Sequence, residues 1–185
     1  LPGLIVFLSS FFSIGNVFAE HNKQIIVAGW LERVVLSPWQ ILLKAKLDTG
    51  AKTSSIHSEN IERFERDDQP WVRFTLPKGG RKKSARYTIE TPLIREVAIK
   101  RHKLPSIIRP VVQLAFCIDD HYYQTEFTLA DRGNYNYPVL LGRRFLKNNV
   151  LVDSSAKFTQ DFDYKKNSCK PKGVEPSKSL PLSGS

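Results

Sequence analysis

Short β-rich runs, each stopped by turn residues, limit this chain to a protein built of strands. They lie at Ile25–Leu36, Ile41–Leu47, Trp71–Leu76, Ser84–Thr91, Val97–Lys100, Ile108–Ile118, Tyr122–Leu129 and Tyr137–Leu141. The stretch Tyr122-Tyr123-Gln124-Thr125-Glu126-Phe127-Thr128-Leu129 alternates apolar with polar residues, as a half-buried strand does. No long helical period is present, and the one helix predicted is short, from near Arg143 to Asn148-Asn149. This pattern predicts an all-β fold, a small closed barrel or a sandwich. Pro77-Lys78-Gly79-Gly80-Arg81-Lys82-Lys83 reads as a hairpin turn between two of the runs, and Asp67-Asp68 and Asp119-Asp120 read as two more.

One run carries chemistry at its end. Ile41-Leu42-Leu43-Lys44-Ala45-Lys46 leads into Leu47-Asp48-Thr49-Gly50-Ala51. A carboxylate that must activate water needs a fixed place at a strand end. A hydroxyl beside it can tie the turn down, and a glycine lets backbone come close to the carboxylate. A lone Asp-Thr-Gly is a weak signal. Its weight rises with a second pattern far downstream, where the apolar Pro138-Val139-Leu140-Leu141 runs into Gly142-Arg143-Arg144-Phe145-Leu146.

Together the two patterns resemble the retropepsins, the retroviral-type aspartic peptidases. In these, the second apolar strand threads beside the Asp-bearing loop and supports it from behind. The fuller resemblance is to the bacterial retropepsin-like family, also labelled ATP-dependent zinc proteases. It is carried by Ala28-Gly29-Trp30-Leu31-Glu32-Arg33-Val34, by Ala45 to His57 and by Trp71-Val72-Arg73-Phe74. Arg109-Pro110-Val111-Val112 and the Leu-Leu-Gly-Arg-Arg run closing with Val152-Asp153 complete it, over about Ile25 to Phe158.

That resemblance implies a small closed all-β barrel of the retropepsin type with one short helix, and an aspartic endopeptidase. The chemistry needs two carboxylates and the chain holds a single Asp-Thr-Gly, so the expectation is a homodimer with Asp48 from each chain at the axis. Two carboxylates a few ångströms apart do not both ionise easily; one keeps a proton while its partner acts as base toward water, as is known of aspartic peptidases in general. The resemblance makes Asp48 the general acid and base, with Thr49 orienting its turn through a hydroxyl bond across the dimer axis. Gly50 and Ala51 become the tight backbone next to substrate, and Gly79 and Gly80 the tip of a flap. Gly142 and Arg143 become structural support. Retroviral enzymes place an acidic partner for this arginine soon after the turn; here Lys52-Thr53-Ser54-Ser55 stands there, so Arg143 must find another.

Two rival functions stay open at this point. One is a non-catalytic peptide- or protein-binding module on the same fold. The other is a zinc-dependent peptidase. His21, His57, His102 and His121 form no His-Glu-x-x-His or other close pair with ligand spacing, although His57 with Glu59 is a conceivable start of a site assembled in space. The expectation is no metal and no cofactor. No phosphate-binding Gly-x-x-x-x-Gly-Lys-Ser/Thr loop occurs, and there is no Gly-x-Ser-x-Gly; Ser54-Ser55 fits turn and strand chemistry. Asp131-Arg132-Gly133-Asn134 reads as another loop, which matches the pattern of the bacterial family and has no assigned physical role.

A formal charge of +10 favours acidic partners. The cations are scattered, without a recognition helix or zinc-finger spacing, which argues against nucleic acid; most of this charge reads as solvated surface, and selection of an acidic peptide or protein substrate is the alternative. Residues 1–19, an apolar run closing on Val17-Phe18-Ala19 before polar Glu20-His21-Asn22-Lys23, read as a secretory signal and too short for a stable membrane span. The expected organisation is a signal at 1–19, a retropepsin-like domain at 20–164 and a disordered basic tail at 165–185, in a periplasmic or secreted protein. Cys117 and Cys169 have two readings, a disulfide pinning the tail or a buried small hydrophobe with a loose partner.

Overall fold

A computed structural model describes residues 24–77, 86–101, 104–133, 135–160, 163 and 168–171. The proposed signal, the flap tip with Gly79 and Gly80, His21, His102, Asn134 and residues 172–185 lie outside the described residues. Along the chain come β1 (Ile26–Ser37), β2 (Ile41–Asp48), β3 (Ser54–His57), β4 (Glu59–Arg66), β5 (Gln69–Pro77) and β6 (Arg86–Pro92). There follow β7 (Arg95–Arg101), β8 (Leu104–Ile118), β9 (His121–Ala130), β10 (Val139–Gly142), the single turn of helix α1 (Arg143–Leu146) and β11 (Val150–Lys157).

The fold is the all-β one expected. Eight strands lie in the order β11-β1-β2-β10-β3-β9-β8-β7, and an added pairing of β1 with β8 closes six of them into a ring. That closure runs through Val35–Cys117, Leu36–Phe116 and Ser37–Ala115. A closed ring leaves fewer open strand edges to pair with other chains. Strands β4, β5 and β6 make a second antiparallel sheet whose Val72, Phe74, Leu76 and Ile89 join the same apolar core. At its centre Phe116 meets Phe127 edge-on and packs on Phe145, with ring centroids 5.7 and 5.1 Å apart. Burying such a side chain is worth about 1.5–3 kcal/mol, so these aromatics anchor the ring. No helix of the described residues is long and apolar enough to cross a membrane.

Both proposed Asp hairpins are present: Asp67 and Asp68 turn β4 into β5, and Asp119 turns β8 into β9, all three with positive φ. Three strands were not expected. β3 is only four residues long, β4 is rich in charge, and β11 has a polar second half. The charge on β4 and its neighbours is spent across strands: Arg63 meets Glu96 at 2.6 Å, Arg73 meets Glu90 at 2.7 Å, and Arg66 also reaches Glu90.

Of the two cysteine readings the disulfide holds: Cys117 and Cys169 are bonded, 52 residues apart in sequence. Cys169 is buried, and its backbone exchanges hydrogen bonds with the Gln40 side chain, N–H to Oε1 at 2.9 Å and Nε2 to C=O at 3.2 Å. The proposed loose tail is therefore tied to the ring at 168–171. Closing a loop of this size in the unfolded chain predicts that the double variant Cys117→Ser/Cys169→Ser loses roughly 2–4 kcal/mol. Urea midpoints of the two proteins check this, and coincident midpoints would show that the bridge contributes nothing.

Candidate active site

β2 alternates in burial along its length. Ile41, Leu43, Ala45 and Leu47 enter the core, while Lys46 and Asp48 share the opposite face, as residues two apart on a strand must. β10 runs parallel beside β2 with Leu141 opposite Leu47 and Gly142 opposite Asp48. β3 lies antiparallel on the other side of β10. The two sequence patterns therefore meet in space, with β10 paired beside the Asp-bearing strand.

The turn is held by its own backbone. The Gly50 N–H donates to Asp48 Oδ1 at 3.0 Å, and the Ala51 N–H donates to the Asp48 carbonyl at 3.3 Å. A Cβ on Gly50 would stand 3.2 Å from Asp48 Oδ1, so the glycine keeps that approach open. The other carboxylate oxygen, Oδ2, pairs with Lys46 Nζ at 3.1 Å. Burial pushes the Asp48 carboxyl up, but the Lys46 ammonium and the Gly50 and Ala51 N–H groups outweigh it and leave it below the ordinary carboxylate value.

Arg143 finds its partner in the turn itself. Its Nη1 donates to the carbonyls of Thr49 at 3.1 Å and Gly50 at 3.3 Å, replacing the acidic residue of the retroviral pattern. Backbone bonds from Arg143 N–H to Ala51 C=O at 2.8 Å and from Arg144 N–H to Lys52 C=O at 3.1 Å add to the brace. The Gly142 N–H donates to Ser54 Oγ at 3.1 Å. Thus Asp48, Thr49, Gly50, Ala51, Gly142 and Arg143 form one constellation. The Thr49 hydroxyl role proposed across a dimer axis concerns a second chain.

Sequence reasoning missed Lys46 and Arg132. Lys46 had a signal, its place two residues before Asp48 on an alternating strand. Arg132 had only the match of its loop to the family's pattern, which gives no role, since its partners are distant in sequence. Its N–H donates to His57 Nδ1 at 2.8 Å, its Nη1 to Ser55 Oγ at 3.0 Å and its Nε to the Tyr137 carbonyl at 3.5 Å. The guanidinium also lies 4.5 Å from the Tyr135 ring centroid. Burial pulls the Arg132 guanidinium below its ordinary value, with Arg109 adding to that and Tyr135 and Asp48 acting against it.

His57 is buried between this loop and Glu59, whose carboxylate lies 3.5 Å from Nε2, so it clamps the loop. The metal-like grouping found among the described residues, Asp119, Asp120 and His121, sits at the opposite end of β9 from the His57 contact. A cavity of about 180 Å³ is lined by Thr53, Ser54 and the ion-paired Arg95 and Glu126, and Asp48 does not line it.

The model of a family described as RimB-like, retropepsin-like aspartic endopeptidase RimB, matches residues 27–163. A solved structure of Lpg0085, a Legionella pneumophila protein of unknown function, superposes with a TM-score of 0.64 at 34% identity, covering 75% of this chain and all of that one. Two curated relatives carry the name probable α-L-glutamate ligase. Those of Shewanella halifaxensis and Desulfotalea psychrophila are 35% and 32% identical over 116 and 111 residues, 63% and 60% of this chain. The chain spans about a quarter of the length of those relatives, 25% and 24% respectively.

Proposed function

Because the chain belongs to the RimB-like family of retropepsin-like aspartic endopeptidases, we propose that it hydrolyses peptide bonds with a water held between two Asp48 carboxylates, one from each chain of a homodimer. The observation that carries this reading is the placement of Asp48 at the end of β2, its Oδ1 held by the Gly50 N–H and its turn braced by Arg143. A carboxylate so fixed needs little reorganisation when it takes a proton from water. In the dimer one carboxylate acts as base while its protonated partner polarises the peptide carbonyl and later protonates the leaving amine. Proteolysis by the native chain that vanishes in Asp48→Asn and survives chelator tests this, read by mass spectrometry on a mixed peptide library.

The proposed substrate is an acidic peptide. The net charge of +10, Lys46 and Arg132 around Asp48, and the glutamate-ligase names of relatives that share this segment support that class. The proposed compartment is oxidising, periplasmic or extracellular, and the Cys117–Cys169 bridge suits it. Specific activity should fall on dilution through the range where the dimer dissociates, followed by light scattering; activity constant through that range removes the dimer from the reading.

One observation favours a second reading. In the single chain Asp48 is already paired with Lys46, which suits a binding module as well as a catalyst. A pH test separates them. Lys46 helps hold the Asp48 carboxyl low, so the charged form is favoured above the unfolded carboxyl value and that contribution is lost as pH falls through the folded one. The dyad needs one proton on the pair. Lys46→Met should therefore raise the Asp48 carboxyl pKa and move the pH–rate profile toward higher pH. Carbon-13 NMR of Asp48 and kcat/KM against pH both read this; a profile that does not move would sink the catalytic role given to this pair.

A further inference from the structure

Five arginines on β4 to β7 have carboxylate partners. Arg63, Arg66, Arg73, Arg86 and Arg95 each meet a glutamate. Arg132 is half-buried, yet no carboxylate of the described residues lies within ion-pair distance of it. Its three anchors are neutral: a serine hydroxyl, a backbone carbonyl and a tyrosine ring. Partial burial of an unpaired cation costs free energy that an incoming anion would offset.

The place of this cation follows from strand register. Lys46 on β2 lies opposite Leu140 on β10, and Leu140 lies opposite Ser55 on β3. All three are only partly buried, while Leu47, Leu141 and Ile56 next to them enter the core. Ser55 is thus on the face that carries Lys46 and Asp48, about two strand spacings or ~10 Å from Lys46. Arg132 sits on the Ser55 hydroxyl, close enough to Asp48 and Arg109 to feel both charges. Lys46 is engaged by Asp48, whereas the second terminal nitrogen of Arg132 has no partner among the described residues.

We infer that Arg132 is a specificity-determining residue of this site, its guanidinium taking the side-chain carboxylate of an acidic residue close to the peptide bond presented to Asp48. The inference rests on Asp48 marking the peptide site, and it names what that site reads. A guanidinium forms paired N–H···O bonds to a carboxylate, and the Ser55, Tyr137 and Tyr135 contacts fix its orientation before the peptide arrives. The loop itself is clamped, Arg132 N–H to His57 and Gly133 N–H to Asp131 Oδ1 at 2.8 Å, so the guanidinium projects from a rigid base.

The test measures binding, so that it does not depend on turnover. Neutral alanine-serine octapeptides carrying one Glu, placed at each position in turn, are titrated by calorimetry into the Asp48→Asn chain beside their Gln twins. At one or two positions Glu should bind about tenfold more tightly than Gln, a difference of about 1.4 kcal/mol. In Asp48→Asn/Arg132→Gln that ratio should fall to about one, with the Gln peptide bound as before, and Arg132→Lys should restore part of it. No preference for Glu at any position, a preference that survives Arg132→Gln, or an equal loss for both peptides overturns the inference; the last would make Arg132 a purely structural residue. Cleavage of the same peptides by the chain with Asp48 intact is scored separately. Absent cleavage with an Arg132-dependent Glu preference would sink the peptidase reading and leave Arg132 in its role.

Discussion

Asp48→Asn is expected to lower kcat by at least ~10³-fold, because an amide neither accepts nor donates the proton that the reaction moves. In a homodimer the substitution strikes twice, removing the base and the acid together. The change in shape is small. The Asn carbonyl can still accept the Gly50 N–H, and the Arg143 bonds to Thr49 and Gly50 go to backbone carbonyls that the substitution leaves alone. The ion pair lost is with Lys46, whose side chain is 43% exposed, so screening by water limits its worth to about 1 kcal/mol or less. Activity and stability should therefore separate: cleavage gone, with circular dichroism unchanged and the melting temperature shifted by only a few degrees. Retained turnover in Asp48→Asn would remove the aspartic mechanism. Peptide binding preserved without turnover, in the native chain as well as the variant, would favour the binding module.

How far this site was legible depends on how local each part is. The Asp-Thr-Gly turn is a contiguous motif on an alternating strand, so Asp48, Gly50 and the side of β2 they occupy could be read directly. Lys46 lay within reach of the same alternation. The meeting of β2 with β10 could not come from periodicity, since it joins residues far apart in sequence; it came from resemblance to a family in which the two patterns accompany each other. The Arg132 contacts to His57 and Ser55 span 75 and 77 residues, and nothing in a lone Asp-Arg-Gly announces them. Among the strands, Glu59–Arg66 was hidden by its charge, because a strand whose Arg and Glu side chains are paired with other strands has little apolar alternation to show. Ser54–His57 was too short to carry a period. The choice for the cysteines turned on distance, and the closure of β1 on β8, which brings Cys117 opposite Val35, is visible only in three dimensions.

Gly142→Ala is expected to be the most destabilising single methyl addition at this site, costing more than about 4 kcal/mol. Backbone conformation is not the reason, since Gly142 has φ −94° and ψ 173°, an extended geometry open to any residue. The reason is space. A Cβ at this position would stand 2.5 Å from the carbonyl oxygen of Thr53, 2.6 Å from its carbon and 2.9 Å from its nitrogen. All three are backbone atoms on the segment between the Asp48 turn and β3, so no side chain can rotate away to make room. Separating them would pull Gly142 from opposite Asp48, break its N–H bond to Ser54 Oγ and draw Arg143 away from Thr49 and Gly50. The loss should thus appear twice, as a lower urea midpoint and, in whatever fraction stays folded at low temperature, as a large fall in kcat with a displaced Asp48 carboxyl resonance. Arg143→Ala provides the comparison, because it removes the side-chain brace and leaves the backbone contact whole. It should weaken the site while costing far less stability, and equal midpoints for Gly142→Ala and the native chain would show that β10 does not press against the turn as described.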